Sequence, residues 1–265
     1  MKRLIAIVAT VTSVLVSAAP LVRAESPKAG PPQASAVRVD ALPIDRDVRL
    51  EISRALYEEV GKVAPQADED LLAVHLPVAT VLAYAERQAA QGGRIATMKA
   101  GIAYQMIEKN DRAYAAYRKV LAYGNDTNDE GIYNRMAVVA PEGTAVFAVG
   151  KPVSFGDVLP VIMNGRTMVP VRAVTEALGA QVEFDNDTQT ATFSIEGKAE
   201  VKITSGSTTA QIGGRYVTLD VEPTIVPPGR FVVPLRFISE AFGYDVRWHS
   251  QKPGHGIVSI RDLNQ

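Results

Sequence analysis

Apolar residues recur at three- and four-residue steps across residues 45–137, and at every second position after Pro141. The first regime predicts helices. Val48, Ile52, Ala55, Leu56 and Val60 make the stripe of one helix that ends at Gly61. Residues 68–91 read as a second, with Pro77 as a kink or interruption and Gly92-Gly93 as its stop. Residues 95–108 and 112–123 read as an antiparallel pair turned at Lys109-Asn110-Asp111, and a short helix follows over 130–136. Strands find almost no support in this half. Gly101, Tyr104, Ala113 and Tyr117 sit at spacings similar to one tetratricopeptide repeat. A stack needs at least about three copies to bury a continuous core, so an ordinary helical hairpin is preferred over a partner-binding groove.

The second regime predicts strands over 144–149, 153–155, 181–184, 190–195, 200–204, 208–212, 216–219 and 256–261. Two short helices interrupt it, each inside a copy of one motif. Residues 164–185 read NGRTMVPVRAVTEALGAQVEFD and residues 228–249 read PGRFVVPLRFISEAFGYDVRWH. Nine of the 21 positions from Gly165 match at a constant offset of 64: Gly165/Gly229, Arg166/Arg230, Val169/Val233, Pro170/Pro234, Arg172/Arg236, Glu176/Glu240, Ala177/Ala241, Gly179/Gly243 and Val182/Val246. Each copy places a glycine in a turn, then a short extended run, then a proline suited to a first helical turn. The helices are predicted over 171–178 and 235–242. Val171, Val174 and Leu178 form the apolar stripe of the first, and Leu235, Ile238 and Phe242 that of the second. Gly179 and Gly243 fall where a left-handed residue ends a helix.

Arg172 and Glu176, like Arg236 and Glu240, are four apart on these helices. They can pair within the helix, at about 0.2–0.5 kcal/mol, or the arginine can reach across and orient the two halves. Neither copy brings a His, a Ser/His pair or a second carboxylate at fixed spacing. The repeated Arg and Glu are therefore read as scaffold rather than as an active site. The fold class that results is α+β. An N-terminal all-α domain precedes a domain of two repeated strand–helix–strand units with antiparallel strands.

With Asp157-Val158-Leu159-Pro160 ahead of one copy and Asp220-Val221-Glu222-Pro223 ahead of the other, the doubled motif resembles the copper amine oxidase N-terminal-like, or stalk, domain over about residues 150–261. In the amine oxidases this domain is an accessory one, and copper and the quinone belong to a separate, much larger domain. No Asn-Tyr-Asp/Glu quinone precursor is present, and the only histidines are His75, His249 and His255. The resemblance thus implies an accessory module at a surface or outside the cell, with neither copper nor oxidase activity. The second copy departs from the pattern at His249, where an acidic residue is usual. The helical half resembles no family.

The chain's beginning changes the setting. Lys2 and Arg3, an apolar run over 4–16, Pro20 and Val22-Arg23-Ala24 predict a signal peptide over 1–24, and with it export. A membrane anchor is disfavoured, because Thr10, Thr12 and Ser13 dilute the run and it falls short of about 20 apolar residues. Residues 25–44 read as a flexible leader, 45–138 as the helical domain, and 144–265 as the stalk domain, with copies at about 150–196 and 213–261. No second hydrophobic span follows. The chain has no cysteine, which excludes a disulfide framework, a thiol nucleophile and a Cys-based zinc site. Setting aside Lys2, Arg3 and Arg23 leaves 25 basic residues against 29 acidic, a net of −4. The charges are interspersed, so no nucleic-acid footprint is present.

Other candidate chemistry is sparse. His249 and His255 sit in one predicted loop with Asp245 nearby, yet their six-residue separation suits no standard metal site, so neither metal nor cofactor is expected. His75 reads as a packed or capping residue. Residues 205–209 (SGSTT) lack the lysine and helix of a phosphate loop and read as a hairpin turn. Residues 126–130 (DTNDE) read as a solvated turn with a helix cap rather than a calcium loop. Tyr216, Phe231, Tyr244 and Trp248 can form a sugar- or peptide-binding platform, although Phe231 and Trp248 fall at alternating core positions and are expected to be buried. Tyr216, Tyr244, Trp248, His249 and His255 are the candidate ligand surface.

The functional expectation is an exported, non-catalytic binding or scaffolding protein of the cell envelope or extracellular space. Its partner would be an envelope polymer or a surface or extracellular protein. Two alternatives stand beside it: a hydrolase with its site in the cleft between the halves, and a helical adaptor for a partner protein.

Overall fold

The computed structural model describes residues 36–38, 46–59, 75–124, 129–251 and 255–262. The predicted signal peptide and most of the predicted leader lie outside these residues. So do the predicted helix end at Val60 and Gly61, residues 68–74 of the second predicted helix, and residues 126–128 of the acidic run.

Helix α1, Arg46–Glu59, buries Ile52 and Leu56 of its predicted stripe. Residues His75–Pro77 form a short strand, β2, antiparallel to β1 at Ala36–Arg38. One expectation is thereby corrected, since the N-terminal half is not free of strands; of the two roles expected of Pro77, a kink or an interruption, it takes the second and opens a helix. Strands of three residues show too little alternation to be read from a pattern. The φ of −59° at Pro77 suits a helix entrance, where a missing N–H costs nothing. Helix α2 is Val78–Gln91, α3 Arg94–Met106, α4 Asn110–Ala122 and α5 Glu130–Val139. Asp129 caps α5, accepting a bond from the Ile132 amide at 3.3 Å.

Helices α3 and α4 cross where Gly101 lies under Tyr117. A Cβ at Gly101 would stand 2.6 Å from the ring. Tyr117 is fully buried, and its hydroxyl donates to Gln105 Oε1 at 2.7 Å. The small residue is thus explained by a helix crossing.

The second half contains thirteen described strands in three sheets. In one, β14 (Asp245–His249), β15 (His255–Arg261), β3 (Gly143–Ala148) and β4 (Lys151–Pro152) lie in that order. A second is an antiparallel meander of β7 (Gln181–Asp185), β8 (Thr190–Ser194), β9 (Val201–Thr204), β10 (Thr209–Ile212) and β11 (Arg215–Thr218). The third orders β12 (Thr224–Val226), β13 (Arg230–Pro234), β6 (Arg166–Pro170) and β5 (Val161–Met163). The whole is mixed α+β. The expectation of antiparallel strands needs one correction: β15 and β3 are parallel, with Ile257 opposite Ala145 and Ser259 opposite Phe147. Periodicity identifies a strand but carries no sign for its direction. The predicted strand at 153–155 is also absent. Pro152 has no N–H to extend a ladder, and only the Val153 amide bonds back, to the Val146 carbonyl at 2.8 Å.

In the third sheet β13 pairs with β6 so that Val233 lies opposite Val169, its counterpart at the offset of 64. A local twofold therefore passes between the motif copies. Each copy then continues through a short helix, α6 at Val171–Ala177 or α7 at Leu235–Ala241. The strand after each helix joins a different sheet, β7 the meander and β14 the sheet that holds β3. All six predicted stripe residues are buried in one core with Phe193, Ile203, Val258 and Ile260.

The helical half packs on the sheet's other face. Phe147 of β3 and Ile257 of β15 belong to the same core as Leu56, Tyr117, Tyr133 and Met136. Their strand neighbours Val146, Val258 and Ile260 belong to the core of the strand-rich half.

Gly101→Ala tests the helix crossing. The added methyl must displace a buried ring, an overpacking cost of about 1–3 kcal/mol. Urea denaturation followed by circular dichroism should show a lower midpoint at unchanged slope.

Candidate functional site

The turns at Asn164-Gly165 and Pro228-Gly229 deliver Arg166 and Arg230 to the starts of β6 and β13. Neither arginine pairs within its own copy. Arg230 grips Asp157 with two bonds of 2.9 Å, from Nε and Nη2, and Arg166 Nε donates to Asp220. Asp157 precedes the first copy and Asp220 the second, so the two ion pairs cross between copies. Arg230 holds the Asp157 carboxyl below the usual carboxylate range.

This crossing builds two related grooves. One, of about 580 Å³, is lined by Gly165, Arg166 and Asp220, by Arg236, Phe237 and Glu240 of α7, and by Val246 and Trp248 of β14. The other, of about 690 Å³, is lined by the counterparts Gly229, Arg230 and Asp157, Arg172, Ala173 and Glu176 of α6, and Val182 and Phe184 of β7. Arg236 and Glu240 pair at 3.3 Å along α7, the less favoured order for a helical pair. Arg172 and Glu176 are exposed and do not pair with each other. Pro170 and Pro234 open the helices, and Gly179 and Gly243 end them at φ 77° and 81°.

Beneath the Trp248 groove, the opposite faces of β14 and β15 meet α5. His249 is buried there. Its Nδ1 lies 2.8 Å from Asn134 Oδ1 and its Nε2 2.9 Å from Ser259 Oγ, and its ring stacks on Tyr133 at 5.4 Å. His255 Nδ1 donates to the Ala140 carbonyl at 3.1 Å. Arg261, also buried, joins Glu130 of α5 at 2.9 Å and Asp245 of β14. Polar groups buried in this way are tolerated because each is satisfied; stranding one costs about 1–3 kcal/mol.

The predicted ligand surface is therefore dispersed. Trp248 is 47% exposed in its groove, which corrects the expectation that it is buried. Phe231 is buried as expected, against Phe184 at 5.6 Å. Tyr244 lies half-buried under Lys198, 4.6 Å from its ring centroid, and Tyr216 stands 77% exposed on β11 and lines neither groove. The two histidines expected in one loop instead both enter the seam. Alternation along β14 and β15 puts positions 249 and 255 on the helical face, and the sequence carries no sign that helices cover that face. Asn134 and Ser259 escaped the sequence reading, and Glu130 reads there only as part of a solvated acidic turn at a helix start. Ser259, a polar residue inside the apolar run of β15, was its one available signal.

The chain Ser259–His249–Asn134 has the connectivity of nucleophile, base and orienting group. It has no access: Ser259 is 0% exposed, and neither Ser259 nor His249 lines either groove. It works as a staple between the halves. Among the described residues these engagements leave no donor set that fits copper. His249 and His255 already use ring nitrogens on protein partners and Asp245 is held by arginines. Among the described residues no three ligating side chains converge.

Burial pushes the His249 imidazole below its ordinary value of 6.5. Glu130 opposes this shift, while Arg261 and Arg247 reinforce it. The folded chain then binds that proton less readily than the unfolded one. Its stability should be full above about pH 6.5 and fall as pH drops through the lowered value. Asp157, Asp185 and Asp245 are shifted below 3.8, so their contributions are lost only at lower pH. Melting temperatures measured between about pH 7 and 5 should decline in the wild type, and His249→Gln should flatten that decline.

No curated protein matches the chain. Residues 147–256, which hold both motif copies, both crossed ion pairs and both grooves' helices, match the copper amine oxidase N-terminal domain. That family is an accessory and not a catalytic domain. Over residues 147–256 the strand-rich half of this chain is thus similar to a copper amine oxidase N-terminal domain.

Proposed function

We propose that the chain is an exported, non-catalytic binding or scaffolding protein of the cell envelope or extracellular space. In this reading residues 1–24 direct export and residues 25–44 serve as a leader. The stalk domain, from about residue 144, is a duplicated strand–helix–strand unit carried beside a helical domain. The observation that carries the binding role is the Trp248 groove, where the chain's one tryptophan stands exposed among charges that are already paired with each other. Such a groove offers contact area and hydrogen bonds without a group poised to react. The partner is an envelope polymer or a surface or extracellular protein.

The Ser259–His249–Asn134 chain favours the hydrolase alternative by connectivity and opposes it by burial. An adaptor role for the helices draws little support, since Ile95 is the one large apolar side chain that the described helices leave strongly exposed. Two experiments separate these readings. Residues 25–265, immobilised and challenged with envelope polysaccharide and envelope protein fractions, should retain one of them specifically. Retention of neither overturns the binding role. A fluorophosphonate probe should leave the folded protein unlabelled, and labelling lost in Ser259→Ala would establish the hydrolase instead.

A further inference from the structure

The structure assigns the Trp248 groove to a neutral glycan chain, with the indole as its stacking platform; this rests on the binding role proposed above. Three observations carry it. The first is how the indole is held. Trp248 pairs with Val258 across the β14–β15 ladder, and its ring lies over Gly256, where a Cβ would stand 2.2 Å from it. Only glycine permits that approach. The ring is thus held close against the strand at Gly256, and 47% of the residue remains exposed at the groove. A rigid aromatic face with little rotamer freedom to lose suits the C–H face of a sugar ring.

The second is charge. Arg166 pairs with Asp220 and Arg236 with Glu240, two cations against two anions, all about half exposed. The groove has no net charge to draw a polyanion or a polycation. It keeps guanidinium N–H donors and carboxylate acceptors at its rim, and these match hydroxyl groups, which both donate and accept. Its volume of about 580 Å³ is that of a small-ligand site.

The third is the internal comparison. In the related groove Phe184 takes the place of Trp248, but it is half-buried against Phe231, and Ala173 replaces Phe237. The two copies keep the same scaffold and differ in the aromatic surface offered to a ligand. An extended peptide is less well served, because the groove offers side-chain hydrogen-bonding groups around a flat ring and not a row of pockets at alternate positions.

Because Trp248 is the only tryptophan, the wild-type protein reports its own binding. Titration with chitohexaose and with cellohexaose should give a saturable change in emission for at least one. By calorimetry Trp248→Ala should bind that oligosaccharide at least tenfold more weakly and Arg236→Ala several-fold more weakly, with Trp248→Phe between wild type and Trp248→Ala. Ile95→Ser, in the helical half, should bind as wild type. Circular dichroism identifies the variants that remain folded, and Trp248→Phe and Arg236→Ala carry the test if Trp248→Ala does not fold. No saturation by either sugar up to about 10 mM, weaker than the millimolar end of the affinity scale, overturns the assignment. So does equal binding by folded Trp248→Ala, or saturation by an extended peptide or by polygalacturonate in place of the neutral sugars. Envelope retention that Trp248→Ala leaves intact overturns the groove alone and leaves the binding role standing.

Discussion

Between β3 and β15 runs a parallel ladder whose alternate residues belong to different cores. Phe147 and Ile257 point into the helices, while Val146, Val258 and Ile260 point into the strand-rich half. Period-two geometry makes this division possible, since neighbouring side chains must leave a strand on opposite faces. Every other arrangement described above depends on it. The helical half has a sheet to pack on because β15 returns to lie beside β3. The Trp248 groove takes Val258 of β15 into its lining from the other face of the same sheet.

On that base, the duplicated motif does two kinds of work. Its apolar stripe and its turn and helix-end residues fill and punctuate the fold. Its charged residues are exposed and contribute little to stability as isolated pairs. Their geometric effect is larger than their energy. By reaching from one copy to the aspartate ahead of the other, Arg166 and Arg230 set the walls of two grooves across the local twofold.

Much of this was legible in the chain. The change of period at Pro141 separates helices from strands, and the offset of 64 identifies the motif, its helices and its buried stripe. What stayed hidden has a common physical origin. Alternation tells which residues share a face of a strand but not what covers that face. Trp248 and Val246 share one face of β14, yet Val246 meets the core and Trp248 runs past it into the groove. His249 and Ser259 share the opposite face, which the pattern leaves blank and helix α5 fills. The direction of the β3–β15 pairing and the three-residue strands β1 and β2 were hidden for a related reason. Long-range pairing is decided by the returning chain, which no local window contains.

The parallel ladder has a mechanical corollary. The chain enters the strand-rich half at Gly143, at one end of β3, and leaves it at Arg261, at the opposite end of β15. Tension applied between those two points would slide the strands past each other rather than peel them apart. The bonds of the ladder would then share the load at once instead of opening one by one. A half built in this way resists stretching between those two points, and it does so with ordinary backbone hydrogen bonds.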